Sequence, residues 1–234
     1  MIDKTRFAIS TEETRYYLNG IYLHAVTDGD APALRAVATD GHRLARVEVD
    51  LPDGSAGMPG VILPRKAILE VRKLLEAAEG LVEVALSETK VRIAVGSAVL
   101  TSKLIDGTFP DYQRVIPEGN SRIMKIDGGV FAEAVDRVST VSSDKSRAIK
   151  LSLHSDKLVL SANSPDQGSA SEELPVAYDS DDLDIGFNSR YVLEMTEQIK
   201  GGSMRFEMED GASPTVIIDG DDPRTVYVLM PMRV

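Results

Sequence analysis

The feature that most constrains the fold is a repeat in which a helix is followed by three strands, four times along the chain. Segments 63–80, 130–143 and 188–202 have apolar residues at helical spacing, and residues 3–10 form a short fourth helix. After each helix, polar and apolar residues alternate with a period of two, which is typical of strands with one buried face. Such repetition predicts copies of one supersecondary unit.

The repeats group into two domains that are separated by a linker at residues 107–121. The linker is rich in proline and glycine and shows no regular period. We predict a first domain over residues 1–118 and a second over residues 119–234, each containing two helix-plus-three-strands units. The predicted fold class is α+β, with antiparallel sheets and with the helices on one face.

Composition excludes several classes of protein. With 43% hydrophobic residues, the chain has enough apolar side chains for packed cores, but it lacks the run of about 18 apolar residues that a membrane span needs. The absence of cysteine excludes disulfides and thiolate chemistry and favours a cytoplasmic location. A net charge of −11 argues against nucleic-acid binding by the surface as a whole, although a local basic surface is compatible with it.

The sequence predicts no catalytic, metal or cofactor site. The histidines, His24, His42 and His154, have no partners at metal-ligand spacing, and neither common glycine-rich phosphate loop is present. Asp40 and His42 form an alternative acid–base pair for a hydrolase or transferase. The Asp-Gly sequence at this point is more typical of a tight turn, and no nucleophile is in view.

The helix at 63–80 has an uneven distribution of charge. On a helical wheel its apolar residues share one face. Four cations share the opposite face with no carboxylate among them: Arg65, Lys66, Arg72 and Lys73. A solvated face is the common explanation of such a stripe, and contact with phosphate groups is the functional alternative.

The segment YVLMPMRV (227–234) is apolar and strand-like, with two methionines around a proline. Methionine side chains adapt to different partners, and a groove between domains is a favoured place for a ligand. Three linker residues are candidates for the same groove: Pro110, Arg114 and Val115. Two interpretations stay open, because Met230 and Met232 could line a groove or belong to the core of a purely structural acidic scaffold.

Six short sequences, in order along the whole chain, resemble the bacterial sliding clamp, the β subunit of DNA polymerase III. They are RYYLNG (15–20), ATDGHRLA (38–45), LPRK (63–66), FPDYQRV (109–115), GFNSRYV (186–192) and YVLMPMRV (227–234). The resemblance implies two DNA-clamp (processivity-fold) domains, which correspond to the second and third of the family's three domains. It also implies that the second domain is truncated at its N-terminus, so we expect a fragment.

The resemblance implies a non-enzymatic function without cofactors. Two full-length chains of the family close head to tail into a ring around duplex DNA and tether the polymerase to its template. We therefore expect Arg65, Lys66 and Lys73, with Tyr16 and Tyr17 near the channel rim, to bind DNA. Because the family's first domain is missing, we expect the fragment to be a monomer or to form a non-native contact through unpaired strand edges.

The family also has a pocket between its second and third domains. Polymerases, the clamp loader, mismatch-repair proteins and ligase insert short motifs of the Gln-Leu-x-Leu/Phe type there. The matching peptide-binding positions are Leu18, Thr39, Gly41, His42, Arg43, Leu44, Pro110, Arg114, Val115, Val228, Met230, Pro231, Met232 and Arg233.

Chemistry suggests a role for each part of this pocket. We expect Leu44, Val115, Val228 and Met230 to form an apolar well for the leucine and phenylalanine of the motif. Pro231 and Met232 are expected to line a shallower slot for glutamine, and Arg43 and Arg114 to donate to peptide carbonyls. The alternative function is an acidic, non-enzymatic peptide-binding scaffold without DNA binding.

Overall fold

The computed structural model describes residues 1–27, 31–77, 80–142, 147–199, 202–220 and 222–234. These residues form two compact units, Met1–Asp111 and Tyr112–Val234. The division lies inside the predicted linker, a few residues before the predicted boundary after residue 118. The strand pairs given below are all antiparallel, and the predicted α+β class with two domains is confirmed.

The described helices lie where the helical spacing predicts them, although each is shorter than predicted. They are α1 (Ile2–Arg6), α2 (Arg65–Glu76), α3 (Gly128–Ser139) and α4 (Ser189–Thr196). The Asp127 side chain caps α3 by accepting from the Val130 N–H, and Asn188 caps α4 in the same way. Within the described part of the chain, no helix is both long and apolar enough to cross a membrane.

Unit 1 contains two antiparallel groups of strands. The first has the order β4-β1-β2-β3, with β1 Gly20–Val26, β2 Ala33–Thr39, β3 Arg43–Asp50 and β4 Val61–Pro64. The second has the order β5-β6-β7, with β5 Val82–Leu86, β6 Lys90–Val95 and β7 Ala98–Lys103. Helix α2 contacts strands of both groups and buries Ala67, Ile68 and Val71.

Unit 2 repeats this plan. One group has the order β12-β8-β14-β15-β16, with β8 Arg122–Asp127, β12 Ala177–Tyr178, β14 Ser203–Met208, β15 Thr215–Asp219 and β16 Asp222–Leu229. The other has the order β11-β10-β9-β13, with β9 Ala148–His154, β10 Lys157–Ser164, β11 Gly168–Pro175 and β13 Leu183–Asn188. Phe131 of α3 and Phe206 of β14 meet edge to face in the core, with ring centroids 5.3 Å apart.

Three strands that the period-two alternation does not predict, β4, β8 and β13, each lead directly into a helix. Each is antiparallel to the first strand of a neighbouring repeat, so that β4 pairs with β1, β8 with β14 and β13 with β9. The register is the same in all three cases, because the last residue of the added strand faces the first residue of its partner. The facing residues are Pro64 and Gly20, Asp127 and Ser203, and Asn188 and Ala148. In unit 2 this exchange of strands interlocks the two repeats.

Candidate functional site

Five of the predicted peptide-binding residues of unit 1 lie in or beside the turn between β2 and β3: Thr39, Gly41, His42, Arg43 and Leu44. Thr39 Oγ1 donates to the Arg43 carbonyl at 2.7 Å and accepts from the Gly41 N–H at 3.1 Å. The Asp40 carboxylate accepts from the N–H groups of His42 and Arg43 at 2.9 and 3.0 Å. Gly41 has a φ of +88°, a backbone conformation that is unfavourable for residues with a Cβ atom. Local hydrogen bonds and one glycine therefore fix the backbone of this turn.

The Asp40 carboxylate forms hydrogen bonds within this turn, and the geometry does not support a catalytic acid–base pair with His42. One carboxylate oxygen accepts from two backbone N–H groups, and the other accepts from Arg43 Nε at 3.2 Å. His42 is exposed on the turn. In the ranges that the structure describes, no group of three or more His, Cys, Asp or Glu residues is arranged to hold a metal ion.

Arg43 is a buried residue that ties the turn to the end of α1. Its side chain is 7% exposed, Nη2 donates to the Phe7 carbonyl at 2.7 Å, and the guanidinium lies over the Phe7 ring, 5.1 Å from the centroid. Two of its nitrogens thus already donate within unit 1. We therefore assign Arg43 the structural role of holding the turn in place. Its donation to a peptide carbonyl stays a prediction.

Arg15 belongs to the same surface, although the sequence does not single it out for peptide binding. Its Nη2 donates to the Asp40 carbonyl at 3.1 Å, and its Nε donates to Glu12 at 2.8 Å. The second bond holds the pKa of the Glu12 carboxyl below its ordinary value. A Cβ at Gly41 would lie 2.6 Å from Arg15 Nη1, so glycine makes room for this arginine.

The two leucines of the predicted set lie beneath the surface of unit 1. Leu18 is 4% exposed and Leu44 is 2% exposed, whereas Pro110 is exposed. Leu44 is therefore a core side chain of unit 1, and truncating it would open a cavity there. A sequence pattern cannot distinguish core packing from peptide binding at this position, because both roles require an apolar side chain.

In unit 2 the C-terminal segment is held on strand β13. The Met232 N–H donates to the Gly186 carbonyl at 2.9 Å, which makes an isolated antiparallel bridge. A Cβ at Gly186 would lie within 3.0 Å of both Val234 Cγ1 and the Met232 carbonyl oxygen. Only glycine allows this close approach, so Gly186 positions the segment that contains the two methionines.

The methionines of this segment are not core residues. Met230 is 41% exposed, Pro231 and Met232 are half-buried, and Arg233 is exposed, whereas Val228 on β16 is buried. This exposure argues against the interpretation of a purely structural tail. It leaves apolar, flexible side chains on the surface of unit 2, which suits adaptable binding.

The linker residues are presented by a single turn of 3₁₀ helix at Tyr112–Val115. Tyr112 is buried and anchors this turn, while Arg114 and Val115 are exposed, Val115 to 51%. An exposed valine beside an exposed arginine provides both apolar surface and hydrogen-bond donors.

The predicted DNA-binding cations on α2 fall into two groups. Arg65 and Lys66 are exposed and make no ion pair with any residue that the structure describes. Lys73 pairs with Glu70 at 3.1 Å, and Arg72 pairs with Asp3 and, at 2.6 Å, with Glu76. The prediction that no carboxylate lies among these cations is therefore wrong, because residues three or four positions apart meet on a helix surface.

The two tyrosines predicted to bind DNA lie in the 3₁₀ segment Glu13–Leu18. Tyr16 is 52% exposed and Tyr17 is half-buried, and their rings pack edge to face with centroids 5.8 Å apart. Both pack near Gly107, where a Cβ would touch them.

Comparison with known proteins gives matches over nearly the whole chain. The family model of the DNA polymerase III beta subunit, central domain, matches residues 1–111, and that of the C-terminal domain matches residues 113–233. The Beta sliding clamp of Caulobacter vibrioides is 53% identical over 234 residues, and that of Pseudomonas aeruginosa is 40% identical over 233. The chain is covered completely in both comparisons but spans only 63% and 62% of these relatives.

Solved structures give the same picture. A sliding clamp from Bartonella birtlesii bound to griselimycin is 55% identical, with a TM-score of 0.96, and the match covers 100% of this chain and 63% of that one. The sliding clamp from Caulobacter crescentus is 53% identical, with a TM-score of 0.95, and the match covers 100% of this chain and 62% of that one.

Proposed function

Because the chain belongs to the DNA polymerase III beta subunit family, we propose that it serves in a DNA sliding clamp, the processivity factor of a bacterial replicative polymerase. The observation that carries this proposal is the match of both domains over residues 1–111 and 113–233. The family is a non-catalytic processivity factor. A role in replication places the chain in the cytoplasm, with duplex DNA and the polymerase as partners of a full-length ring.

We further propose that the chain binds short peptides of the Gln-Leu-x-Leu/Phe type from polymerases, the clamp loader, mismatch-repair proteins and ligase. In unit 2, the turn Tyr112–Val115 and the C-terminal segment at 230–234 would contribute to this binding. Support comes from the exposed apolar side chains of Val115 and Met230, together with the half-buried Met232. The apolar anchor side chains of a peptide contribute most to the binding free energy where side chains of the binding site exclude water.

The cations at the start of α2 support DNA contact. Arg65 and Lys66 occupy the first turn of the helix, which contains no acidic residue. The helix dipole disfavours positive charge at this end, by about 0.3–1 kcal/mol for each cation. Two cations at this end that pair with no described residue cost stability, which is consistent with a surface that faces phosphate groups in a full-length ring. Lys73, which pairs with Glu70, would contribute less.

Replacing Met230 by alanine tests the peptide proposal. We expect the change to weaken binding of a Gln-Leu-x-Leu-Phe peptide by about 1–3 kcal/mol, because an exposed anchor side chain is lost. Folding should be unaffected, since Met230 is 41% exposed. Isothermal titration calorimetry measures the difference.

Ile123→Ala is the matched control, because Ile123 is 42% exposed in the same unit and is not part of the predicted set. Wild-type affinity is expected for this variant. Equal losses in the two variants, or a peptide that does not bind the wild-type chain, would refute the proposed site.

A further inference from the structure

Three cations share the exposed face of the strand group β5-β6-β7 in unit 1. Along β6, Val91, Ile93 and Val95 are buried, and the alternate residues Lys90 and Arg92 are exposed. In the antiparallel register, Lys90 faces Lys103 of β7 directly. We call Lys90, Arg92 and Lys103 the basic face. Helix α2 contacts β6 and β7, and it covers the other side of these strands, where their buried residues lie.

The spacing within the basic face is short. Directly opposed residues of an antiparallel pair have Cβ atoms about 5 Å apart, which applies to Lys90 and Lys103. Residues two apart on one strand are separated by about 7 Å, which applies to Lys90 and Arg92. Like charges placed directly opposite each other destabilise a sheet.

None of the three cations forms an ion pair with any residue in the described ranges. The carboxylate on the same face, that of Glu83, belongs to a residue that faces Ala94, towards the other end of β6. Several cations on other strands have carboxylate partners: Arg35 pairs with Glu48 at 2.7 Å, Lys150 with Asp184 at 2.8 Å and Lys157 with Glu173 at 3.7 Å. In a chain with a net charge of −11, three neighbouring cations that pair with none of the described residues form a local concentration of positive charge.

The remaining side chains of this face are small or apolar. They are Ala85, Ala94, Thr101 and Val99, and Val99 is 54% exposed. No aromatic residue lies at the described positions of this face, so it offers no platform on which nucleic-acid bases could stack. An extended peptide places alternate side chains about 7 Å apart on one side, which matches the spacing of Lys90 and Arg92.

We propose that the basic face binds an extended acidic segment of a partner protein, with Asp or Glu at alternate positions. Carboxylates of the segment pair with Lys90, Arg92 and Lys103 and remove their mutual repulsion, while small apolar side chains of the segment contact Val99. This surface shares no residue with the proposed site for Gln-Leu-x-Leu/Phe peptides, and the proposal does not depend on that site.

The test uses a fluorescein-labelled extended peptide with glutamate at alternate positions, and its glutamine counterpart, in anisotropy titrations at low salt. The glutamate peptide should bind and the glutamine peptide should not. The double variant Lys90→Gln/Lys103→Gln should bind about fivefold more weakly or worse. The charge-preserving variant Lys90→Arg/Lys103→Arg should retain binding.

Lys125→Gln is the matched control, because Lys125 is an exposed strand lysine of unit 2, and it should leave the affinity unchanged. The double glutamine variant should also have a melting temperature at least equal to that of the wild type, because it removes a like-charge pair. Equal binding of the two peptides would overturn the proposal, as would an equal loss of affinity in the Lys125 variant. The proposal would also be wrong if single-stranded oligothymidylate bound to the same residues more tightly than the glutamate peptide. The ligand of the basic face would then be a nucleic acid.

Discussion

Replacing Gly186 by valine is expected to displace residues 230–234 from strand β13 and to weaken binding of a Gln-Leu-x-Leu-Phe peptide by about tenfold or more. Any Cβ at this position would lie within 3.0 Å of Val234 Cγ1 and of the Met232 carbonyl oxygen. The hydrogen bond from the Met232 N–H to the Gly186 carbonyl would be lost with this displacement. Fluorescence anisotropy with a labelled peptide measures the effect.

Gly119→Val is the control for the Gly186 variant. Gly119 lies in the same unit, and a Cβ there would meet no atom within 4 Å. It should leave peptide affinity unchanged, and circular dichroism should show a native spectrum for both variants. Wild-type affinity in the Gly186 variant would mean that peptide binding does not depend on the docked C-terminal segment.

Replacing Arg43 by methionine is expected to lower the free energy of unfolding by about 3 kcal/mol. The guanidinium is 7% exposed and bonds to Asp40, whose side chain is 16% exposed, so the change leaves a largely buried carboxylate without its charged partner. It also leaves the Phe7 carbonyl without its donor at 2.7 Å. Urea denaturation followed by circular dichroism measures the loss.

Arg72→Met provides a comparison with a more exposed ion pair. The Arg72 side chain is 33% exposed and its partners Asp3 and Glu76 are more than half exposed, so we expect a much smaller loss than for Arg43→Met. Adding Asp40→Asn to the Arg43 variant should recover part of its loss, because the unpaired charge disappears. Equal losses for Arg43→Met and Arg72→Met would show that the turn does not depend on Arg43.

The repeat could be predicted from the sequence because both of its signals are local. Helical spacing and period-two alternation locate α2, α3, α4 and most strands within a few residues. The strands β4, β8 and β13 could not be predicted in this way, since their partners are determined by the fold. The pair β8 and β14, for example, joins residues 122–127 to 203–208.

From the sequence, the candidate site could be predicted only as a set of positions, without their contacts and burial. Hydrogen bonds within the Asp-Gly turn follow from local sequence, but the contact of Arg15 with the Asp40 carbonyl links residues 25 positions apart. The burial of Leu44 and Arg43 likewise depends on tertiary packing. Peptide binding and core packing require the same residue types there, and the structure distinguishes them by exposure.

Methyl NMR can show whether the chain binds clamp-binding peptides through its C-terminal segment. The chain has eight methionines, each of which gives one methyl signal after selective ¹³C labelling. Titration with a Gln-Leu-x-Leu-Phe peptide should shift the signals of Met230 and Met232 saturably. The signals of Met124, Met204 and Met208, whose residues are 0% exposed, should stay unchanged. Unchanged Met230 and Met232 signals at saturating peptide would mean that the C-terminal segment does not bind the peptide.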